Sequence, residues 1–132
     1  IAVHGPLFRN YFTMHFPRIR RLVHELIESQ CIDWSVTLEG PSSLELISRK
    51  KNGCLMLNLI HRGAGETLSP TRTVIEELPP ISNVLLSVKS GDSPSSVTLQ
   101  PEDTELDFCH AGGITTIRVP EIRIHDIVCI EC

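Results

Sequence analysis

Aromatic rings, positive charge and long apolar runs are all scarce in this sequence, and each shortage removes a class of function. The chain has four Phe, one Tyr and one Trp in 132 residues. Proteins that hold sugars or single-stranded nucleic acid on a sheet face use exposed aromatic platforms. Here only Trp34 and Phe108 fall in the strand-rich part, and both are expected in the core. The net charge of −4 gives phosphate backbones no general attraction, so a nucleic-acid partner is not expected. No uninterrupted apolar run approaches the roughly 18 residues of a membrane-spanning helix, so no membrane partner is expected either. The opening Ile1-Ala2-Val3-His4-Gly5-Pro6 lacks an initiator Met and the basic and apolar regions of a signal peptide. It reads as a cut inside a longer chain.

Cysteine is present but does not form a framework. The five cysteines, Cys31, Cys54, Cys109, Cys129 and Cys132, are odd in number and irregularly spaced, as expected of reduced thiols in a cytoplasmic protein. Cys129-Ile130-Glu131-Cys132 has the C-x-x-C spacing of zinc and redox sites. Residues three apart on a strand point to opposite faces, however, and no second pair supplies further ligands. Neither a metal nor a cofactor is expected.

What is present changes period along the chain. Phe8, Tyr11, Phe12 and Phe16 crowd into nine residues. Pro17 suits the first turn of a helix, where its missing N–H costs nothing. Ile19, Leu22, Val23, Leu26 and Ile27 then recur at i, i+3, i+4, i+7 and i+8, one apolar stripe of a helix ending at Ser29-Gln30. From Trp34 the period is 2. Strands are expected over 34–39, 44–50, 54–61, 83–89, 96–100, 105–109, 114–119 and 122–131. Asn52-Gly53 marks a tight hairpin. Residues 62–82 form the longest irregular stretch, with room for an edge strand near 71–74.

In the strand over 54–61, Leu55, Leu57 and Leu59 share one face while Cys54, Met56 and Ile60 take the other, as in a central strand. The expected core is these three leucines with Val84, Leu86, Val88, Ile117, Val119, Ile122, Ile124, Val128 and Ile130. The fold class is mainly β: an antiparallel β-sandwich of about eight strands with one N-terminal α-helix, a closed barrel being the alternative. The expected division is residues 1–32, the aromatic segment and helix, and residues 33–132, the sandwich.

No catalytic residue stands out. The six histidines are scattered, and His110 cannot face its strand neighbour Cys109. The acidic pairs Glu76-Glu77 and Glu102-Asp103 lie in polar loops. Gly63-Ala64-Gly65 and Ala111-Gly112-Gly113 do not lead from a strand into a helix, and read as turns. Two surfaces remain. Phe8, Tyr11, Phe12 and Phe16 are candidate interface residues, because they add more apolar surface than a leader segment exposes. Trp34 is the candidate ligand contact if the sandwich binds sugar.

Several stretches resemble the C-terminal end of multidomain glycoside hydrolases similar to family-42-type β-galactosidases. Leu7-Phe8-Arg9-Asn10-Tyr11-Phe12 and Ile19-Arg20-Arg21-Leu22-Val23 resemble the last segment and helix of their amidotransferase-like, trimerisation-type domain. Ser43-Leu44-Glu45-Leu46 and the run from Gly53 to His61 resemble a strand pair of the following small β-sandwich. Where the family commonly has a V-H-L-I-N run, Asn58 and His61 stand in exchanged positions, a departure that weakens any polar role assigned to them. Leu78-Pro79-Pro80-Ile81 and Val119-Pro120-Glu121-Ile122 resemble later strands. The resemblance implies that the catalytic acids lie on a TIM barrel elsewhere in the parent. It implies a non-catalytic accessory domain with a structural or assembly role, whose partners are the parent's upstream domains or further copies of the chain. An independent carbohydrate-binding module is the alternative.

Overall fold

The computed structural model describes residues 5–14, 16–63 and 77–131. The expected edge strand at 71–74 lies outside them. The chain divides after Trp34 into two units.

The first unit is helical. The aromatic segment, read above as a leader to a single helix, is itself a helix: α1 spans Leu7–Met14. Helix α2 spans Pro17–Glu28, with Pro17 in its first turn and extended Phe16 as its N-cap. The Ile19 N–H donates to the Phe16 carbonyl at 2.9 Å, closing the first turn. Arg21 and Glu25, one turn apart, pair at 2.9 Å on the exposed side, an arrangement worth only about 0.3–0.5 kcal/mol. The helix stops at Ser29, whose N–H donates to the Glu25 carbonyl. Cys31 then turns the chain away with φ of 51°. No residue of α2 is buried, and Leu22 and Ile27 remain 45% and 41% exposed. The stripe forms as the periodicity predicts, and its other members, Ile19, Val23 and Leu26, are half-buried.

The second unit is a β-sandwich of two antiparallel sheets. In chain order the strands are β1 (Val36–Glu39), β2 (Leu44–Lys51), β3 (Cys54–His61), β4 (Ile81–Lys89), β5 (Ser96–Gln100), β6 (Thr104–Glu105), β7 (Phe108–Ala111), β8 (Ile114–Ile122) and β9 (His125–Glu131). One sheet has the order β1-β4-β8-β7, the other β2-β3-β9-β5-β6. Two hairpins fix the register. Asn52 and Gly53, both at positive φ, join β2 to β3 so that Lys51 faces Cys54. Gly112 and Gly113 do the same between Ala111 and Ile114. Their left-handed backbone matches the twist of the strands they connect.

The core follows the alternation. Leu57, Leu59, Val97, Val128 and Ile130 from the five-stranded sheet meet Val84, Leu86, Ile117, Val119 and Ile122 from the other, all almost fully buried. At about 25 cal/mol per Å² of apolar surface removed from water, each such side chain contributes roughly 1.5–3 kcal/mol. Leu44, Ile81, Leu99 and Leu106 complete the core. Strand β3 pairs on both edges, with β2 and β9, as expected of a central strand, and its outward Cys54, Met56 and Ile60 are half-buried.

Two expectations about burial fail. Ile124 is 68% exposed, because β8 ends at Ile122 and β9 begins at His125. Ile124 therefore sits in the connection, where strand alternation does not apply. Trp34 is not a core residue either; it is 46% exposed and precedes the first strand.

Candidate functional site

At the end of the sandwich marked by the β2–β3 turn, the sheets part around a cleft of about 310 Å³. Its apolar floor is Leu55, Val88 and Ile130, and Lys50, Lys89 and Asp92 stand around it. Inside, the fully buried Thr115 hydroxyl lies 2.9 Å from Ser90 Oγ and 2.9 Å from His110 Nδ1. A hydroxyl between a serine and an imidazole invites comparison with a nucleophile–base pair. A nucleophile needs access and a base that is itself oriented. Thr115 has no access, and among the described residues no carboxylate hydrogen-bonds to His110. The chain of bonds joins β7, β8 and the segment after β4, satisfying buried polar atoms that would otherwise destabilise the fold.

A second polar cluster closes the opposite end. Asp126, 8% exposed, accepts the Arg123 N–H through Oδ2 at 3.0 Å. The His61 N–H donates to the Ile124 carbonyl at 2.9 Å, and His61 Nδ1 lies 3.0 Å from the Arg123 carbonyl. A buried carboxylate among hydrogen-bond donors could be catalytic. Here it holds the β8–β9 connection, its bond going to backbone within the same turn.

The remaining sequence candidates separate in space. Glu102 and Asp103 are exposed in the β5–β6 connection, where Asp103 accepts from Gln100 at 2.6 Å. Glu77 is exposed, while Glu76, Ala64 and Gly65 lie outside the described residues. Cys109 is exposed, whereas His110 turns toward Thr115, so the adjacent pair splits across the sheet. Cys132, the second member of the C-x-x-C spacing, is outside the described residues.

Of the candidate interface residues, positions 8, 11 and 12 fall on α1 and Phe16 caps α2. Tyr11 is half-buried and Phe16 is 53% exposed. The side chains of Phe8 and Phe12 lie outside the described residues. Trp34, the candidate ligand contact, is the last residue of the helical unit and is exposed together with Ile32.

One grouping escaped the sequence reading. Met56 of β3 faces Cys129 of β9 in the register, and Cys54 lies one step along the same outer face. Burial pushes the Cys129 thiol up from its ordinary pKa, and the neighbouring Cys54 thiol adds to the shift. The outward position of Cys54 and Met56 was visible in the alternation; their partner was not.

No protein-family model matches this chain, and no curated protein matches it in sequence. Among solved structures, alpha-L-fucosidase isoenzyme 2 from Paenibacillus thiaminolyticus is similar, with a TM-score of 0.80 at 17% identity. The match covers 98% of this chain and 20% of the fucosidase chain. At that identity the likeness is one of fold, to part of a glycoside hydrolase. No helix among the described residues is long and apolar enough to cross a membrane.

Proposed function

We propose that this chain is a non-catalytic accessory domain of a glycoside-hydrolase-like protein, with a structural or assembly role toward the rest of that protein. The observation that carries the reading is the coverage: nearly the whole chain has the fold of one fifth of a glycoside hydrolase. The family-42-type sequence resemblance points the same way. The polar clusters at both ends of the sandwich support it, since each satisfies backbone or buried side chains instead of presenting a reactive group. The exposed Leu22 and Ile27 of α2 and Phe16 offer apolar surface for the parent's other domains or for a second copy.

Sedimentation of residues 1–132 beside a chain beginning at Ser35 tests the assembly role. Self-association of the longer chain alone is the expected result. Two monomers, with strong amide-exchange protection over residues 5–14, would refute the helical segment as an interface. Lack of catalysis has its own test, a panel of nitrophenyl glycosides including the α-L-fucoside. Turnover that disappears in Glu102→Gln or Asp126→Asn would place an active site in this domain.

The exposed Trp34 favours a second reading, a carbohydrate-binding module. Because Trp34 is the sole tryptophan, its fluorescence reports that surface directly. A saturable shift with galacto- or fuco-oligosaccharides, lost in Trp34→Phe on following sugar binding by calorimetry, would establish this second function.

A further inference from the structure

We propose that Cys54, Met56 and Cys129 form a binding site for a soft monovalent cation, Cu(I), on the outer face of the five-stranded sheet. Leu55, Leu57 and Leu59 point into the core, so Cys54 and Met56 point out; Val128 and Ile130 point in, so Cys129 points out. The register sets Met56 opposite Cys129, with Cys54 two residues from Met56 on the same face. Three sulfur-bearing side chains therefore share one face of adjacent strands paired along most of their length. All three residues are half-buried, within reach of an ion yet partly shielded from water.

The spacing distinguishes an ion site from a disulfide. A disulfide needs β-carbons about 3.5–4.5 Å apart. Diagonal neighbours across an antiparallel pair stand about 7 Å apart at Cα and only somewhat closer at Cβ. Two metal–sulfur bonds of about 2.3 Å each, through one ion, make up that difference without moving the strands.

Ligand chemistry selects the ion. Thiolates and a thioether are soft donors suited to Cu(I), whereas zinc favours four ligands drawn from thiolate, imidazole and carboxylate. No group of three His, Cys, Asp or Glu able to hold a metal occurs among the described residues. Binding releases both thiol protons and leaves a Cu(I) bis-thiolate of charge −1, with the Met56 sulfur as a neutral third ligand. Across β2, Arg49 lies opposite Met56 and Lys51 opposite Cys54, supplying positive charge beside that anion.

The test titrates the reduced full chain, without oxygen, with Cu(I) supplied as its coloured bicinchoninate complex. The expected result is removal of one tightly held equivalent per chain, with affinity rising as pH rises because protons leave. Cys54→Ser and Cys129→Ser should each weaken it at least about tenfold, and Met56→Leu, which preserves volume, several-fold. Cys31→Ser and Cys109→Ser should leave it unchanged. Circular dichroism confirms that each variant is folded. Cu(I) uptake equal in Cys129→Ser, or insensitive to Met56→Leu, would overturn the three-sulfur site. So would a Cys54–Cys129 disulfide forming with mild peroxide in preference to retention of the ion.

Discussion

Leu57 shows how one side chain carries the fold. It is fully buried between the two sheets, so Leu57→Ala removes apolar contact and leaves a cavity. The expected loss is about 2–5 kcal/mol in denaturant unfolding. A loss below about 0.5 kcal/mol, the scale of an ordinary surface change, would move Leu57 out of the core. Thr115 works differently. Its hydroxyl serves Ser90 and His110 at once, so Thr115→Val keeps the shape and removes a shared hydrogen-bond partner. Unfolding should become easier by about 1–3 kcal/mol, because two half-buried groups lose that bond. Cys129 gives a pH-dependent readout. Its thiol is held above the ordinary range, so at mildly alkaline pH less of it is the reactive thiolate. Iodoacetamide followed by peptide mass mapping should find Cys31 and Cys109 modified before Cys129, with the gap narrowing as pH rises. The same sign governs stability: this thiol favours the folded state below its unfolded pKa, and the contribution fades as pH climbs through the folded value.

At the scale of elements, the turns show where alternation holds and where it ends. Gly53 stands at φ of 84°, a conformation that side chains with a β-carbon resist. Gly53→Ala should therefore cost about 1–2 kcal/mol although nothing crowds the site, a backbone effect measurable by thermal unfolding. Ile122 and Ile124 make a sharper comparison. Both match a period of 2 in the sequence, but only Ile122 lies in a strand. Ile122→Ala should cost a few kcal/mol, and Ile124→Ala less than about 0.5 kcal/mol. Equal costs would show that the connection packs as a strand does. In the helical unit, α2 was readable from its stripe and its proline. The α1 helix was not, because four aromatics in a short stretch describe a composition more than a period.

On the scale of the whole molecule, the buried apolar cluster of the described residues lies within the sandwich. A chain beginning at Ser35 should fold cooperatively and keep its β circular dichroism, since Leu44 through Ile130 supply every buried apolar contact in the cluster. Loss of cooperative unfolding in that shorter chain would show that the helical unit is needed for stability. The match to one fifth of a fucosidase is one of fold, and it takes in nearly the whole of this chain.

Hydrophobic periodicity by itself determined the α2 helix, most of the strands and nearly all of the core, because local spacing decides which side of an element is apolar. It also placed Asn52-Gly53 in a hairpin and His110 away from Cys109, since both follow from neighbours along the chain. Strand order, the exposure of Trp34 and Ile124, the Thr115 hydrogen bonds and the meeting of Cys54, Met56 and Cys129 were decided only by the tertiary structure. The two exposures depend on where strands begin and end, and the others on which strands become neighbours. β3 pairs with β9 across most of the length of the sandwich chain, and no local pattern in either strand specifies that partner.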